Sequence, residues 1–370
     1  MRIARIVITG DVLRTTMGDA NQLPNVRWLH EELAGVLREL TGLYPEVGYR
    51  RNAEGHGQAI AAEWYELLGH VPSTEAWAAT YAMTAPPALI DALAPDYEHA
   101  LVIGFELSPL LRSALDGLGV PWIDMEISPL RFLDDLALTL RLSWSRHAAG
   151  DDAASRPAHA GLVTPRQVEE AMAQLRAWHH NDAATAACSG ACIFLAQTRH
   201  DRTLIRGSGF YPDGEAVEQV AGMLGGRRLI LKPHPLQPDN PLLGALQERL
   251  GAPATDAGIY ALLAAACDVR FVTISSSAAI EARHFGHVAE VLHPKAHAHP
   301  APLTSLSAHR SATFWRALLG AILPVRADAV FEEPLVPDRL RRRLNAWGFR
   351  RAARTETAAP SPAANALQSA

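Results

Sequence analysis

The sequence predicts an α/β protein made of two successive units, each with a mainly parallel sheet. Short apolar segments of strand length alternate with longer segments whose apolar residues recur at helical spacing, and this alternation runs through the chain twice. The length of 370 residues suits two domains at the usual ~100–200 residues each. Strands that alternate with helices favour parallel sheets covered by helices. We therefore predict two Rossmann-like domains that face each other across a cleft.

The first unit opens with the apolar segment RIVITG, which is typical of a buried strand and ends at a glycine. Its predicted strands are residues 5–10, 99–106 and 121–127, and its predicted helices are 26–40, 59–70 and 109–119. A stretch of small and polar residues at 148–160 is typical of a loop. We assign residues 1–187 to this N-terminal domain.

The second unit follows a predicted helix at 164–180, which Thr164 caps and Pro165 opens. Its predicted strands are 191–197, 228–235, 269–274 and 288–292, and its predicted helices are 215–226, 259–267 and 277–286. We assign 188–335 to this C-terminal domain and 336–354 to a basic C-terminal helix. The remaining residues, 355–370, are rich in Ala, Pro and Ser and predict a disordered tail.

Composition narrows the class of protein. Hydrophobic residues make up 48% of the chain and charged residues 20%, which suits ordinary globular domains with apolar cores. The formal net charge of −5 argues against general nucleic-acid binding, which needs a basic face. The N-terminus has no apolar stretch of signal-peptide length, and no run approaches the ~20 apolar residues of a membrane helix. We therefore expect a soluble, cytoplasmic protein.

Several common site motifs are missing from the sequence. It contains no Walker A sequence, no GxGxxG fingerprint and no GxSxG elbow. The cysteines form an odd, sparse set that is typical of a reducing compartment and indicates packing roles: Cys188, Cys192 and Cys267. The histidines between residues 293 and 299 lie among prolines without a carboxylate partner, so we expect no metal site.

Polar side chains follow the predicted strands of the second unit, at the sheet edge where α/β proteins bind ligands. They are Gln197, Arg199 and Asp201 after the first strand, Lys232 and His234 after the second, and Ser275, Ser276 and Ser277 after the third. Prolines on both sides of His234 restrict its backbone, which positions a site residue or simply stiffens a loop. A serine-rich turn into a helix suits a phosphate, although it also serves as a plain cap. Glu281 follows one helical turn later, and its carboxylate suits ribose hydroxyls, although a lone helical glutamate is usually just solvated.

Acidic residues mark the end of the first unit's last predicted strand, in the segment PWIDMEISPLRFLDDL. Period-2 alternation places Asp124 and Glu126 on one face of this strand. Carboxylates in a strand built for burial are costly unless they are paired or used, and Arg131 is a candidate partner. Glu106 ends the preceding strand with another acid. The sequence therefore predicts a group of acids at this edge of the first sheet.

Four segments together resemble the retaining β-Kdo glycosyltransferases of bacterial capsule and O-antigen (lipopolysaccharide) assembly: FLAQTRHD, LKPHP, VTISSSAAIEARHFG and GVPWIDMEISPLRFLDDL. The resemblance extends over residues 1–295 as scattered motifs. Several nucleotide-sugar transferases carry a KPHP segment followed by a serine-rich turn and a glutamate-bearing helix, and the QxxxD and DxExSPxRFxDD patterns sharpen the match. The resemblance implies a glycosyltransferase of the two-domain B type that uses CMP-Kdo as donor and needs no metal or other cofactor.

The resemblance also implies roles for single residues. Asp201 matches the family's catalytic aspartate, the proposed nucleophile of a double displacement, and Glu126 matches the glutamate proposed as acid/base toward the acceptor. His234 and the three serines would hold the CMP phosphate, with Glu281 on the ribose. The remaining candidates at the cleft are Gln197, Arg199, Asp124, Arg131 and Glu106. Many relatives carry a second transferase or assembly domain that this sequence does not show, so its partners stay open.

The chemistry of such a donor suits these residue types. CMP leaves with a phosphate whose developing charge is stabilised by cations and N–H donors such as Lys232, His234 and the serine turn. A ketosidic centre that bears a carboxylate favours an oxocarbenium-like transition state. Retention then requires a nucleophile on the opposite face, and a carboxylate serves.

Two alternatives remain open at this point. Another B-type enzyme, such as a CDP-glycerol phosphotransferase or a UDP-sugar epimerase, would not require both Asp201 and Glu126. A non-catalytic subunit of a polysaccharide assembly complex would bind CMP-sugar without turnover. We expect an oligosaccharide or lipid-linked glycan as acceptor. The arginine-rich segment 339–354 suits peripheral association with the inner face of the inner membrane, although a helix that packs back on the first domain with a solvated face is the favoured alternative.

Overall fold

The computed structural model describes residues 2–14, 22–48, 58–144, 162–179, 186–294, 303–305, 309–332 and 338–344, with the side chains of 58–61 and 303–305 excepted. It contains a six-stranded sheet, a four-stranded sheet and a two-stranded hairpin, surrounded by helices. The α/β architecture with parallel strands that the sequence predicts is confirmed. The arrangement of two domains across a cleft and their boundaries stay predictions.

The six-stranded sheet is built mainly from the first half of the chain. Its strands are β1 Arg5–Gly10, β2 Glu46–Val47, β3 Ala100–Phe105, β4 Trp122–Ile127, β5 Ala137–Ser143 and β12 Leu303–Ser305, in the order β12-β5-β4-β3-β1-β2. Strands β2, β1, β3 and β4 run parallel, whereas β5 pairs antiparallel with β4, and β12 antiparallel with β5. The carboxyl ends of β1, β3 and β4 therefore lie at one edge.

The four-stranded sheet comes from the second half and is parallel throughout. Its strands are β6 Cys192–Leu195, β9 Leu229–Lys232, β10 Arg270–Thr273 and β11 Val288–Val291, in the order β11-β10-β6-β9. The hairpin of β7 Ile205–Arg206 and β8 Gly209–Phe210 follows β6. The loops after β6, β9 and β10, which carry the predicted donor-side residues, therefore share one edge.

Helices connect these strands. Their bounds are α1 Leu23–Thr41, α2 Gln58–Leu67, α3 Thr74–Thr80, α4 Pro87–Tyr97, α5 Pro109–Leu118, α6 Pro165–His179, α7 Asp213–Met223, α8 Pro241–Leu250, α9 Ile259–Leu263, α10 Ala278–His284, α11 Ala312–Leu319 and α12 Arg339–Leu344. Capping residues in the sequence define the ends of two of these helices. The N–H of Gln167 donates to the Thr164 hydroxyl at 3.3 Å, and the Thr164 N–H returns a bond to the Gln167 side chain at 2.8 Å, a reciprocal cap that starts α6. Gly119 takes the left-handed conformation that ends α5.

Apolar side chains form one core around the first sheet and one on each face of the second. The first core includes residues of α11 and α12, such as Trp315 and Leu340, so these late segments pack with the N-terminal sheet although the predicted second domain extends to residue 335. Cys188 and Cys192 are buried, as expected for packing roles, and the Cys188 thiol lies 3.3 Å from that of Cys267. His297 and His299, from the predicted metal-free cluster, lie outside the described residues.

The loop between β4 and β5 connects the two sheets. Phe132 is fully buried in the core that α10 covers, and its ring meets the Phe285 ring edge-on at 5.6 Å between centroids. Part of the DxExSPxRFxDD segment is therefore structural, because its aromatic residue anchors the first sheet's connection in the second sheet's core.

The start of the basic C-terminal segment packs on this same loop. Arg341 is buried and donates to the carboxylate of Asp338 at 2.8 Å and to the backbone oxygen of Leu133 at 2.7 Å. Arg339 Nε lies 3.4 Å from Glu32 Oε2. Residues 339–344 thus pack back on the first half, the alternative that the sequence left open, whereas 345–370 lie outside the described residues. Membrane association stays a prediction, and in the described part of the chain no helix is long and apolar enough to span a bilayer.

Candidate active site

Two glutamates lie at the ends of neighbouring parallel strands of the first sheet. Glu106 directly follows β3, and Glu126 is next to last in β4. Glu106 has a φ of 53°, a left-handed conformation that residues other than glycine adopt rarely, and often at functional sites. Their side chains are 18% and 12% exposed, so both carboxylates lie at the boundary between core and surface.

Asp124 is fully buried and belongs to the fold. Its Oδ2 accepts from Arg112 Nη1 at 2.8 Å, and its Oδ1 accepts from the Leu107 N–H at 2.8 Å. Burial, followed by the negative charge of Glu126, raises the pKa of Asp124 to about 6. The sequence offered Arg131 as a candidate partner of these acids. For Asp124 that prediction is wrong, because α5 places Arg112 over β4.

Arg202 connects both glutamates to the segment that follows β6. Its Nη2 donates to Glu126 Oε2 at 2.8 Å, its Nη1 lies 3.5 Å from Oε1, and its Nε lies 3.4 Å from Glu106 Oε2. Arg14 Nη1 is 3.4 Å from the same Glu106 oxygen, and Arg141 Nη2 is 3.7 Å from Glu126 Oε1. The two carboxylates are thus surrounded by guanidinium groups.

Asp11 adds a further acid next to this cluster. It follows β1, is 1% exposed, and its Oδ2 accepts from Trp77 Nε1 at 2.8 Å and from the Tyr81 hydroxyl at 3.2 Å. Burial raises the pKa of Asp11. The Arg14 guanidinium lies 5.3 Å from the Trp77 ring. We did not select Asp11 from the sequence, although it carries the same signal as Glu106, an acid directly after a buried strand.

Asp201 precedes a single 3₁₀ turn, Arg202–Leu204, and caps it. Its Oδ1 accepts from the Thr203 N–H at 2.9 Å and from the Thr203 hydroxyl at 3.0 Å. Asp201 therefore has a structural role as a cap. Both bonds end on one carboxylate oxygen, so the cap is compatible with chemistry at the other. The charge of Asp201 acts on Arg131 and His234, which places all three in one electrostatic environment.

Gln197 fixes the loops at this edge of the second sheet. Its buried side chain accepts from the Ser275 N–H at 2.8 Å and from the Ser275 hydroxyl at 3.1 Å, and donates to Thr203 Oγ1 at 3.1 Å. Its backbone oxygen accepts from Asn240 Nδ2 at 2.7 Å. Asp201 accepts hydrogen bonds from Thr203, so this network sets the position of Asp201, the predicted nucleophile, relative to the serine turn.

The three serines after β10 have different roles. Ser275 is fully buried, and its hydroxyl also lies 2.9 Å from that of Thr203, so it braces the turn and does not present a hydroxyl to a ligand. This corrects the expectation that all three serines contact phosphate. Ser276 accepts from the Ala278 N–H at 3.3 Å, as a cap does, and Ser277 precedes α10; both are partly exposed.

Lys232 and His234 lie at the end of β9, and both are partly exposed. The Leu236 N–H donates to His234 Nδ1 at 3.2 Å, so the neutral ring carries its proton on Nε2. Burial lowers the pKa of His234, the charge of Asp201 opposes this, and Lys232 adds to the lowering. Burial also lowers the pKa of Lys232. His234 therefore offers a neutral N–H donor beside a lysine.

A cavity of about 230 Å³ opens beside the loop after β6. Apolar side chains of β6, α8 and the hairpin form much of its wall, and its polar lining includes Gln197, Arg199, His200 and Asn240. Arg199 is exposed, and its N–H donates to Gln237 Oε1 at 2.7 Å, which ties the QTRHD loop to the turn that follows KPHP. The cavity thus borders two of the predicted donor-side loops.

Glu281 connects α10 to the first half of the chain. It is 3% exposed, and its Oε1 accepts from the Arg131 N–H at 2.7 Å and from the Tyr260 hydroxyl at 3.0 Å. Burial raises its pKa to about 7. Arg131 Nε donates to the backbone oxygen of Ser128 at 2.8 Å. Both bonds to Glu281 end on Oε1, so a structural role is present, and contact with ribose stays a prediction.

Glu281→Gln is expected to stabilise the protein at alkaline pH. An acid with a raised pKa in the folded state loses stability as pH rises from its unfolded value, near 4.5, through its folded value of about 7. The loss is complete above that pH and amounts to about 3 kcal/mol at most. Glutamine keeps the acceptor oxygen but cannot ionise. Thermal unfolding should show the gain of the variant growing from pH 5 to pH 8.

The control is Glu248→Gln, which makes the same substitution at an exposed position of α8. Its effect on the melting temperature should be small and the same at every pH. A Glu281→Gln variant whose stability relative to wild type does not change with pH would show that Glu281 is ionised in the folded protein throughout this range.

Comparison with known proteins gives little further guidance. No family model matches the chain, and no curated protein sequence matches it. Among solved structures, the beta Kdo 2,7 transferase KpsC of Thermosulfurimonas dismutans aligns with a TM-score of 0.32 and 13% sequence identity, over 55% of this chain and 68% of that chain. A likeness of this size does not establish a common fold.

Proposed function

We propose that the protein is a retaining glycosyltransferase that transfers Kdo from CMP-β-Kdo to an oligosaccharide or lipid-linked glycan. The proposal rests on the motifs that resemble β-Kdo transferases, and it places the donor on the second sheet and the acceptor on the first, across a cleft. No metal or other cofactor is required, because Lys232, the His234 Nε2–H and the turn around Ser276 and Ser277 offer donors for the phosphate.

One observation carries the proposal furthest. Arg202, adjacent to the proposed nucleophile Asp201, holds Glu126 at 2.8 Å and Glu106 at 3.4 Å. The two carboxylates with the roles that double displacement needs, Asp201 and Glu126, belong to segments of different sheets, and Arg202 connects them because its backbone directly follows Asp201 and its guanidinium pairs with Glu126. Neither acid would need to lie near the other in a protein that only binds a nucleotide.

In the first proposed half-reaction, an Asp201 oxygen attacks the anomeric carbon of Kdo. A carbon–oxygen bond to Asp201 forms as the bond from that carbon to the CMP phosphate oxygen breaks, and CMP leaves with the electron pair. Asp201 Oδ1 is held by the Thr203 N–H and hydroxyl, so the carboxylate is pre-oriented by the backbone turn. Lys232 and His234 would stabilise the departing phosphate.

In the second half-reaction, Glu126 accepts the proton of the acceptor hydroxyl, whose oxygen attacks the same carbon and releases Asp201. The two displacements together retain the anomeric configuration. Glu126 is held by ion pairs to Arg202 and Arg141, at 2.8 and 3.7 Å, which position its carboxylate for the general-base role. Glu281 is proposed to reach the donor ribose through Oε2, since its Oε1 is occupied.

A donor panel tests the function. The protein is incubated with CMP-Kdo, CDP-glycerol or UDP-sugars together with short glycan acceptors, and products are analysed by mass spectrometry and by NMR of the anomeric centre. Transfer of Kdo with retained configuration is expected. Turnover of CDP-glycerol or a UDP-sugar in its place would favour another B-type enzyme, and binding of CMP without any turnover would favour a non-catalytic subunit.

CMP is expected to raise the melting temperature as its concentration increases. At a CMP concentration a hundredfold above Kd, the free energy of unfolding should rise by about 2.7 kcal/mol. His234→Ala should weaken CMP binding about tenfold or more, because it removes one hydrogen bond to a charged group. The measurement is thermal unfolding across a CMP titration.

His70→Ala is the control, because His70 is a partly exposed histidine that follows α2, far along the chain from the donor-side loops. It should leave the CMP-induced shift unchanged. Stabilisation by UMP or UDP with none by CMP would contradict the choice of donor.

A further inference from the structure

We propose that Arg202 is a positioning residue, which holds the acceptor-side carboxylates Glu126 and Glu106 in register with the donor-side carboxylate of Asp201. The inference rests on the proposed function and deepens it. It assigns to Arg202 a role that follows neither from the resemblance to a family nor from any motif in the sequence.

The guanidinium contacts two carboxylates from two strands. Nη2 and Nη1 face the two oxygens of Glu126 at 2.8 and 3.5 Å, and Nε lies 3.4 Å from Glu106 Oε2. A planar fork of donors fits two oxygens of one carboxylate while a third nitrogen serves another, which a lysine ammonium cannot do. Arg202 therefore fixes both the distance and the orientation of Glu126.

The backbone of Arg202 is fixed by the same turn that holds Asp201. Asp201 caps the turn Arg202–Leu204 through Thr203, whose hydroxyl lies 2.9 Å from that of Ser275 and also accepts from Gln197. A displacement of the turn would therefore move Asp201 and the clamp on Glu126 together. Asp201, the proposed nucleophile, is thus linked to Glu126, the proposed base, through the Asp201–Arg202 peptide bond and the Arg202 side chain.

Glu126 pairs more closely with Arg202 than with the neighbouring arginine of β5. Arg141 on β5 lies at 3.7 Å, farther than Arg202. Asp124, on the same strand, is neutralised by Arg112, and Glu106 shares Arg202. Arg202 is 21% exposed, so its ion pairs are partly shielded from solvent, where charge-assisted bonds hold geometry better than at an open surface.

The test measures steady-state kinetics of Arg202→Ala with CMP-Kdo and a glycan acceptor. We expect kcat to fall about a hundredfold, the scale of a misplaced catalytic group, while KM for CMP-Kdo stays within about twofold of wild type. Added guanidinium ion should restore part of kcat in this variant and none in wild type. Arg202→Lys, which keeps the charge without the fork, should lie between Arg202→Ala and wild type.

Arg206→Ala is the matched control, because Arg206 belongs to the same segment, is exposed, and pairs with partly exposed Glu215 at 2.6 Å. It should keep wild-type kcat. A wild-type kcat in Arg202→Ala overturns the inference while leaving the proposed function intact. A loss that appears in KM for CMP-Kdo and is not rescued by guanidinium also overturns it. If Arg202→Ala does not fold, a wild-type kcat in Arg202→Lys overturns it, because the fork would then be dispensable. Absence of Kdo transfer by the wild type itself overturns the proposed function, and the inference with it.

Discussion

Replacing Asp201 with asparagine is expected to lower Kdo transfer roughly a thousandfold or more while CMP still binds, because it removes the nucleophile of the first displacement. The geometry makes this substitution informative. Asp201 caps its turn through Oδ1, which accepts from the Thr203 N–H and hydroxyl at 2.9 and 3.0 Å. The amide oxygen of asparagine can accept the same two bonds, so the cap is retained. The measurements are the rate of transfer and the CMP-induced shift in melting temperature.

Thr203→Val is the matched control for this experiment. It removes the hydroxyl that links Asp201 to Ser275 and Gln197 but leaves the Asp201 carboxylate in place. We expect it to lower stability more than Asp201→Asn does and to lower transfer less. Full activity of Asp201→Asn would show that Asp201 serves the fold alone, as a cap, and would contradict the double displacement.

Much of the fold could be predicted because its strands are short, uninterrupted apolar runs. Strands β1, β3 and β4 lie within the predicted ranges, and the carboxyl ends of β3 and β4 carry the acids that the sequence selected. By contrast, β5 was not predicted although ALTLRLS alternates apolar and polar residues, because it follows an aspartate pair that resembles a loop. Helix α8 was also missed, since its segment follows the proline-rich KPHPLQPDNP turn that indicates an extended loop.

Only those site residues could be predicted that come directly after a strand, because the end of a strand is visible in the sequence. Contacts between distant segments have no local signal. Arg202 reaches Glu126 across 76 residues, and the Arg131 N–H reaches Glu281 across 150. Arg202 lies directly after the predicted nucleophile, yet nothing in QTRHDRTL distinguishes its side chain from a solvated arginine. The burial of Ser275 was equally hidden, because it depends on Gln197 from another strand.

Glu126→Gln is expected to abolish transfer to the acceptor and yet permit the first displacement. General-base catalysis contributes about a hundredfold to ten-thousandfold, and a glutamine cannot accept the acceptor's proton. The attack of Asp201 on the donor does not involve that proton. Incubation of Glu126→Gln with CMP-Kdo alone should therefore yield a fraction of protein that carries one added Kdo. Intact-protein mass spectrometry detects the adduct, and peptide mapping should locate it on the segment that contains Asp201.

Glu106→Gln provides the comparison, because Glu106 shares Arg202 with Glu126 but has no assigned proton transfer. It should retain more transfer and accumulate less adduct than Glu126→Gln, since its second displacement still has a base. The double variant Asp201→Asn with Glu126→Gln should carry no adduct, which ties the bond to the Asp201 oxygen. An adduct mapped to another residue would reassign the nucleophile. A product with inverted anomeric configuration from the wild type would exclude the covalent route, because a single displacement at the anomeric carbon inverts it and two restore it.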